Sequence, residues 1–401
     1  MRGPLEGVSI VDFGRAASAP YAARVLADLG ADVVKIEPVE GNFDRKIGGP
    51  HRGGVDAFFL ATNNGKRSIA VDLRSDEGRA AAKDIMVSAD AVLANFRPGV
   101  LAKMGLSYED LSAVDERVIL VEVNGFGSTG PYRDAPAYDT VVQGLSGMIG
   151  IQRRAGTGPP DLIHNTVADK VTALFAANAV QAAIIARARH GKGQHVEIPM
   201  LDASIYFLWP DGMADQTFVG EHIKGFMGAR TLEPTQLADG EAVYMAISFK
   251  QRLELLRAVG RDDLTTDPRF ATTQALSEPG RLVEFYRIVA EAARAMSKEG
   301  FVAELQRRGI PAGPILAPHE VVENEHVREV GILHEWTDDA AGTVRTPVPP
   351  ARFGRDQVAP RYEMRPLGAD GRDLLTEVGW TAERVDKMAA NGEILLPDDD
   401  A

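Results

Sequence analysis

The first half of the chain alternates short apolar runs with longer amphipathic runs. One of the longer runs, residues 20–30, begins at a proline and ends at a glycine, as helices commonly do. Short strands that alternate with helices form a parallel sheet with helices on its faces. The pattern therefore predicts an α/β fold, with strands at 7–13, 31–37, 67–73, 90–96 and 117–123 and helices at 20–30 and 76–89.

The pattern changes in the second half of the chain. A stretch without a clear period separates the α/β part from a segment that combines a strand, 241–247, with amphipathic helices. This combination predicts a small α+β domain bounded by linkers. The predicted organisation is a large α/β domain at 1–205 completed by 330–401, a small domain at 225–320, and linkers at 206–224 and 321–355.

Composition narrows the classes of function. The chain has 401 residues and no cysteine, which excludes disulfides, thiolate nucleophiles and cysteine-ligated metals. Its net charge of -13 argues against a broad nucleic-acid surface, which needs basic residues against phosphates. The most hydrophobic stretch, 171–186, is interrupted by Asn178 and Gln181 and is shorter than the roughly 20 residues of a membrane span, so it predicts a buried core helix. We therefore expect a cytoplasmic protein without a nucleic-acid or membrane partner.

Two short motifs resemble cofactor sites. Residues 125–130, GFGSTG, fit the dinucleotide pattern, but that site requires a helix to start there, and prolines follow instead. In HEVVENEH, 319–326, Glu323 stands where a zinc helix has its second histidine. We therefore expect neither a nicotinamide cofactor nor a metal. The chain also lacks a G-x-S-x-G elbow, so a hydrolase triad has no anchor.

Asp169 stands at the start of the most apolar helical run, where two interpretations compete. Thr166 and Asp169 have the spacing of a capping box, which closes the amino end of a helix. The helix dipole also stabilises the ionised form of a carboxylate in the first turn, which suits a nucleophile. The local pattern favours the cap and leaves the nucleophile open.

Six segments, spread in order along the chain, carry a resemblance to a known family. They are PLEGVSIVDF, LADLGADVVKIEP, NNGKRSIAVDL, ANFRPGVLAKMGLSYEDL, GFGSTGPYRDAPAYDTVVQGLSGM and GKGQHVEIPMLDAS. They resemble signature segments of the family III CoA-transferases, which include formyl-CoA transferase, the carnitine CoA-transferases and the α-methylacyl-CoA racemases. The resemblance covers nearly the whole chain, is strongest over 4–205, and implies a Rossmann-like large domain and a homodimer of interlocked chains.

The resemblance implies that Asp169 is the nucleophile of a CoA-transferase. In that reaction an aspartate attacks the thioester of an acyl-CoA, and the CoA thiolate converts the resulting anhydride into an enzyme-bound thioester. An acceptor acid then takes the CoA by the reverse steps. Coenzyme A is thus expected as a substrate, with acyl-CoA and carboxylic acid small molecules as partners.

The resemblance also implies where coenzyme A binds. Val71 and Phe96 are expected against the adenine, and Arg74, Arg97 and Lys103 toward the phosphates. A single basic residue is more often a solvated surface group, so the joint match to the family segments carries this prediction. The expected CoA-binding residues are Ala16, Ala17, Val71, Arg74, Asn95, Phe96, Arg97, Lys103 and Tyr138.

Tyr138 bears on the choice between transferase and racemase. Racemases of the family carry a histidine at this position, before Asp139, as a proton-transfer group. Tyrosine, with an ordinary pKa of about 10, is a poor base for an α-proton at neutral pH, which favours the transferase. An acyl-CoA racemase or isomerase and a non-catalytic CoA-binding protein stay open, and a nicotinamide oxidoreductase is the alternative outside the family.

Departures from the formyl-transferring members bear on the substrate. Those members have a glutamine where this chain has Ala17 and an arginine where it has Pro38. They also carry a glycine run where this chain has only Gly225, Gly228 and Gly240. Oxalate and formate are therefore disfavoured, and a dicarboxylate, a carnitine-like acid, a bile acid or an aromatic acid is at least an equal candidate.

Overall fold

The computed structural model of the chain describes residues 3–46, 49–152, 159–220, 233–278, 280–356, 358 and 360–397. Contacts between residues divide the chain into two compact units. Unit 1 comprises Met1–Ala214 and Gly331–Ala401, and unit 2 comprises Asp215–Val330. The predicted division into a large domain, a small domain and two linkers stays a prediction.

Strands and helices alternate through the first part of unit 1. The strands of the described chain are β1 (Ser9–Phe13), β2 (Asp32–Glu37), β3 (His51–Arg52), β4 (Val55–Asp56), β5 (Arg67–Val71), β6 (Ala91–Ala94), β7 (Leu120–Asn124), β8 (His195–Pro199), β9 (Thr235–Leu237), β10 (Gly240–Tyr244), β11 (Ala312–Pro314), β12 (Leu333–Asp338), β13 (Gly342–Pro347) and β14 (Ile394–Leu395). The helices are α1 (Ser18–Asp28), α2 (Ala57–Asn63), α3 (Asp76–Ser88), α4 (Val100–Met104), α5 (Tyr108–Ser112), α6 (Asp139–Leu145), α7 (Met148–Ile151), α8 (Val167–His190), α9 (Met200–Gly212), α10 (Phe249–Ala258), α11 (Thr273–Leu276), α12 (Arg281–Ala293), α13 (Lys298–Arg307), α14 (Pro318–Glu323), α15 (Glu325–Glu329), α16 (Gly371–Glu377) and α17 (Ala382–Ala390).

A seven-stranded sheet forms the centre of unit 1, in the order β14-β5-β2-β1-β6-β7-β8. Strands β5, β2, β1, β6, β7 and β8 are parallel, and β14 pairs antiparallel with β5 at the edge. The five predicted strands are present as β1, β2, β5, β6 and β7. The predicted α/β fold is therefore confirmed.

Alternate residues of the strands pack into two apolar layers, one on each face of the sheet. In β1, Ile10 belongs to the layer formed with α1 and α8, whereas Val11 and Phe13 belong to the layer formed with α3, α16 and α17. This arrangement follows from the two-residue period of a strand, since both faces are covered by helices.

Helix starts in unit 1 follow from local chemistry. Ser75 caps α3 by accepting the N–H of Gly78, and the acidic Asp76 and Glu77 lie in the first turn, where the helix dipole favours them. Helix α1 begins at Ser18, two residues before the predicted start, because a proline is tolerated within a first turn.

Helix α8 is long and apolar enough, by length and composition, to cross a membrane. In this structure its small apolar residues, such as Ala173 and Ala177, are buried in the layer shared with α1, and the helix also packs against α9. Alanines permit close approach of these helices. The packing is that of a core helix, as the interrupted apolar run predicts.

Both segments predicted to be linkers contain regular structure. Helix α9 runs through residues 206–212, where it is apolar on several sides and therefore gives no amphipathic period. Residues 221–224 lie outside the described residues. Within 321–355 the chain forms the end of α14, helix α15 and the β12–β13 hairpin, whose turn is held by Asp338 through the N–H groups of Ala340 and Ala341.

Unit 2 has its own core. Strands β9, β10 and β11 form an antiparallel sheet in the order β11-β10-β9. Phe285 of α12 and Phe301 and Leu305 of α13 are fully buried together with residues of α10. The unit is therefore α+β, as the sequence predicts. Gly240 lies at the start of β10, whereas Gly225 and Gly228 lie outside the described residues.

The order in which the chain adds strands to the sheet reverses next to β1. From β1 the chain passes to β2 and β5 on one side, and it then crosses to β6 on the other side. The carboxyl ends of β1 and β6, at Phe13 and Ala94, therefore lie side by side and lead into loops that diverge. Open parallel sheets bind ligands at such a point.

Candidate functional site

The loop from β1 to α1 and the end of β6 are joined by hydrogen bonds. Asn95, directly after β6, accepts the N–H of Arg15 through Oδ1 and donates from Nδ2 to the Arg15 carbonyl, each at 2.8 Å. The N–H of Ala16 is bound by Asp44 Oδ2 at 2.7 Å. Ala16, Ala17 and Asn95, three of the predicted CoA-binding residues, thus meet at the point where the strand order reverses.

Ser18 connects this loop to Asp169. It is buried as the first residue of α1, and Asn95 Nδ2 donates to its hydroxyl at 3.1 Å. The Ser18 hydroxyl lies close enough to the Asp169 carboxyl to favour its ionised form by hydrogen bonding, which lowers the pKa of Asp169. The predicted nucleophile therefore lies beside the predicted CoA-binding loop.

The predicted capping box does not form at α8. Thr166 is the N-cap residue by position but makes no side-chain capping bond, because the chain turns there with φ -76° and ψ 65° instead of the extended conformation of a cap. Asp139, the first residue of α6, takes over this role. Its Oδ1 accepts the backbone N–H of Asp169 at 3.0 Å, which leaves the Asp169 side chain free to contact Ser18.

Two carboxyl groups therefore lie close together at this helix start. Burial raises the pKa of Asp169, and the negative charge of Asp139 raises it further, to about 7. The Ser18 hydrogen bond and the charge of Lys170 oppose the increase. Asp169 is thus poised between its protonated and ionised forms at neutral pH, as active-site carboxyl groups often are.

Gln143 fixes Asp139 and the chain that enters α8. It is fully buried, and its Nε2 donates to Asp139 Oδ2 at 2.6 Å and to the carbonyls of Ile163 and Asn165 at 3.2 and 3.1 Å. Its Oε1 accepts the N–H of Ile163 at 3.0 Å. Helix α6 is thereby tied to the segment before α8, and the Asp139 carboxylate has one orientation.

Phe96 and Tyr138 border the same region. The Phe96 ring lies 4.9 Å from that of Phe13, and the Arg15 guanidinium lies 4.7 Å from the centre of the Phe96 ring. Tyr138 immediately precedes Asp139 and is 72% exposed. The glycine-rich stretch 125–130 belongs to the loop before Tyr138, and the next helix begins only at Asp139.

The residues predicted to bind adenine and phosphates differ in their exposure and in whether their charges are already paired. Val71 has no exposed surface, because its side chain packs in one of the two apolar layers of the sheet; its contact with adenine stays a prediction. Arg74 is exposed and paired with Asp72 at 2.7 Å. The exposed Arg97 and Lys103 make no side-chain hydrogen bond or ion pair within the described ranges.

Sequence reasoning missed several residues of this site. The i, i+4 spacing of Asp139 and Gln143 in DTVVQ is the spacing at which helical side chains meet, and it is a signal for their contact. The contacts of Ser18 with Asp169 and of Asp44 with Ala16 join segments far apart in sequence. No local pattern marks those two contacts.

Comparison with known proteins identifies the family. The model of CoA-transferase family III matches residues 5–371. The chain belongs to this family. It is 32% identical over 86% of its length to the succinate–glutarate CoA-transferase of Agrobacterium fabrum, of which 89% is covered. It is 31% identical over 92% of its length to the succinyl-CoA–D-citramalate CoA-transferase of Chloroflexus aurantiacus, of which 90% is covered.

Solved structures agree with the family assignment. A CAIB/BAIF family protein from Brucella suis superposes with a TM-score of 0.82 at 30% identity, covering 94% of this chain and 100% of that chain. The family III CoA-transferases are enzymes, so the prediction of an enzyme is confirmed. Membership also implies coenzyme A and acids as substrates.

Proposed function

We propose that this family III CoA-transferase moves CoA from an acyl-CoA to a carboxylic acid through covalent intermediates on Asp169. The observation that supports the proposal is the position of the Asp169 carboxyl. It lies beside Ser18 at the start of α1, next to the loop where the strand order of the sheet reverses. A nucleophile at this place can reach a thioester bound at the diverging loops.

In the first half of the reaction, an oxygen of ionised Asp169 attacks the thioester carbonyl of the donor. The carbon–sulfur bond breaks, and the CoA thiolate leaves a mixed anhydride on the enzyme. The thiolate then attacks the aspartyl carbonyl, so the donor acid departs as a carboxylate and Asp169 becomes a CoA thioester. No net proton is taken up or released.

In the second half, the acceptor carboxylate attacks the aspartyl thioester and releases the thiolate. The thiolate attacks the acceptor carbonyl of the new anhydride, which forms the product and restores Asp169. The first step, the attack of Asp169 on the donor thioester, needs a carboxylate that is nucleophilic at neutral pH. The raised pKa of Asp169 meets this need, because a more basic carboxylate is a stronger nucleophile once ionised.

Coenzyme A is proposed to bind across the loops after β1 and β6. The loop residues Ala16, Ala17, Asn95 and Phe96 adjoin Ser18 or the Arg15 side chain that covers Phe96. The proposed cations for the phosphates are Arg97 and Lys103, with Arg74 after it exchanges Asp72 for a phosphate. Tyr138 is proposed along the thiol arm.

A dicarboxylic acid is the substrate class that we propose. The names of the relatives from Agrobacterium fabrum and Chloroflexus aurantiacus specify succinate, glutarate and citramalate. Arg15 supplies an exposed positive charge that forms no ion pair within the described part of the chain. Its guanidinium lies over Phe96, where it can bind the distal carboxylate of such an acid.

An interlocked homodimer in the cytoplasm completes the proposal. Exposed apolar side chains on α8 and α9, including Leu174, Ile185, Tyr206 and Phe207, support a surface covered by a second copy of the chain. Light scattering coupled to gel filtration tests the dimer, and a mass of one chain at working concentration contradicts it.

The test of Asp169 is intact-protein mass spectrometry after incubation with succinyl-CoA, glutaryl-CoA and other acyl-CoAs, with hydroxylamine as a trap. We expect a CoA-sized adduct or a hydroxamate at Asp169, none in Asp169→Ala, and at least about a 1000-fold loss of turnover in that variant. Asp202→Ala is the matched control, since Asp202 is an exposed carboxylate in the first turn of α9. It is expected to keep the adduct.

The remaining outcomes separate the alternatives. Exchange of an α-proton with deuterated solvent, without an acceptor acid and without an adduct, identifies a racemase or isomerase. Binding of acyl-CoA with neither an adduct nor exchange identifies a non-catalytic CoA-binding protein. Either outcome overturns the proposed transferase mechanism.

A further inference from the structure

Ala16 has a backbone conformation that alanine rarely adopts. Its φ is 54°, and among the described residues it is the one residue other than glycine with a positive φ. In this left-handed region Cβ crowds the following carbonyl oxygen, so the conformation persists only where surrounding contacts impose it. The contacts of Ala16 therefore show what maintains the loop between β1 and α1.

Lys35 and Asn42 bind the Gly14 carbonyl of the loop, and two further side chains hold the peptide groups of Arg15 and Ala16. Asn95 binds both the N–H and the carbonyl of Arg15 at 2.8 Å. Asp44, in the 3-10 turn Phe43–Lys46, accepts the N–H of Ala16 at 2.7 Å. The hydrogen bond that Asp44 accepts comes from Ala16 itself, so it acts most directly on the φ angle of Ala16.

Asp44 is not explained by a contribution to stability. The residue is fully buried, and within the described chain its Oδ1 has no hydrogen-bond partner. Burying a carboxyl oxygen without a partner is unfavourable. Its Oδ2 accepts the N–H of Ala16, and the positive charge of Lys35 favours the ionised carboxylate.

The geometry points to a positioning role for Asp44 in catalysis. We propose that Asp44 holds Ala16 in its left-handed conformation and thereby places the Ser18 hydroxyl against the Asp169 carboxyl. Ser18 lies two residues after Ala16, so a change at Ala16 moves the hydroxyl away from both Asn95 and Asp169. The catalytic part of this inference rests on the proposed role of Asp169, whereas its structural part does not.

The kinetic test uses Asp44→Ala, Asp44→Asn and the double variant Asp44→Ala with Ala16→Gly. We expect Asp44→Ala to slow single-turnover adduct formation at Asp169 at least about tenfold, while the Kd of acyl-CoA changes less than about threefold. Asparagine keeps an oxygen acceptor for the Ala16 N–H and is expected to restore the rate. Glycine adopts a positive φ without a Cβ penalty and is expected to restore part of it.

The matched control is Asp370→Ala. Asp370 is also a buried carboxylate that accepts a backbone N–H, that of Ser68 at 2.8 Å, but near the amino end of β5, the end opposite the site. It is expected to lower the Tm and leave the rate of adduct formation unchanged. An Asp44→Ala rate within twofold of wild type, or an Asp44→Asn variant as slow as Asp44→Ala, overturns the inference.

A crystal structure of Asp44→Ala supplies a readout independent of catalysis. We expect a negative φ at Ala16 and a displaced Ser18. An unchanged loop, with Ala16 still at a positive φ, overturns the positioning role whatever the wild-type protein does with acyl-CoA. A wild-type protein that forms no adduct, with a displaced loop in the variant, instead overturns the proposed function and keeps the structural role of Asp44.

Discussion

The carboxylate of Asp139 accepts the backbone N–H of Asp169 at 3.0 Å. This single bond caps α8 and also brings a negative charge close to the Asp169 carboxyl. Together with burial, that charge raises the pKa of Asp169 to about 7. One residue of α6 thus closes a helix and adjusts the basicity of the proposed nucleophile.

The first prediction concerns the pH dependence of transfer. Asp169 must be ionised to attack, so kcat/KM is expected to rise with pH and to level off above an apparent pKa of about 7. Asp139→Asn removes the neighbouring charge and is expected to shift this limb to lower pH by about one unit. Steady-state rates between pH 5 and 9 measure both profiles.

The outcome that contradicts this prediction is an acidic limb at the same pH in Asp139→Asn and wild type. Ser18→Ala is the opposite control, because the Ser18 hydrogen bond lowers the pKa of Asp169. Its limb is expected to move to higher pH.

The second prediction concerns stability. The pKa of Asp169 is 3.8 in ordinary surroundings and about 7 in the folded chain, so the folded protein holds an extra proton between these values. Its stability contribution is present at low pH and lost as the pH rises through 7. Asp169→Asn lacks this loss. Relative to wild type, it is expected to gain about 1–2 kcal/mol between pH 5 and pH 8, after allowance for partial solvent exposure.

Thermal unfolding at the two pH values measures the difference. For a chain of this size we expect the Tm of Asp169→Asn minus that of wild type to increase by roughly 1–4 °C from pH 5 to pH 8. Asp202→Asn is the control, and its Tm is expected to differ from that of wild type by the same amount at pH 5 and at pH 8. A difference for Asp169→Asn that shrinks with pH contradicts the assigned pKa shift.

The third prediction concerns the CoA phosphates. Arg97→Ala and Lys103→Ala are each expected to raise the Kd of CoA about five- to tenfold, because their charges are unpaired in the described chain. Arg74→Ala is expected to have a smaller effect, since binding must first break its pair with Asp72. Calorimetry with CoA and dephospho-CoA measures these effects. Equal Kd values for wild type and all three variants remove these residues from the phosphate site.

The fourth prediction concerns acid specificity. Arg15→Gln is expected to raise the KM for succinate or glutarate about tenfold and to leave the KM for a monocarboxylic acid of similar length within about twofold. The neutral amide can still cover Phe96 but cannot pair with a distal carboxylate. If Arg15→Gln raises the KM of both acids equally, Arg15 does not bind the second carboxylate.

Much of the fold can be predicted from the sequence, because the apolar patterns that specify its strands are local. The strand runs that became β1, β2, β5, β6 and β7 are continuous apolar stretches, and parallel strands covered on both faces produce that pattern. The segments predicted to be linkers contain helices and strands that the pattern does not indicate, for the complementary reason. Helix α9 is apolar on several sides, and the short elements of 321–355 carry no long period.

The same distinction holds at the site. The position of Asp169 at a helix start and the family of the chain follow from residues adjacent in sequence, and so does the α/β alternation. The cap from Asp139, the contact of Ser18 with Asp169 and the burial of Val71 depend on segments that meet only when the sheet is assembled. Local order specifies elements and motifs, whereas the charge environment of a carboxyl group depends on its neighbours in space. For that reason the pKa of Asp169 and the strain at Ala16 belong to the folded chain and not to any segment of it.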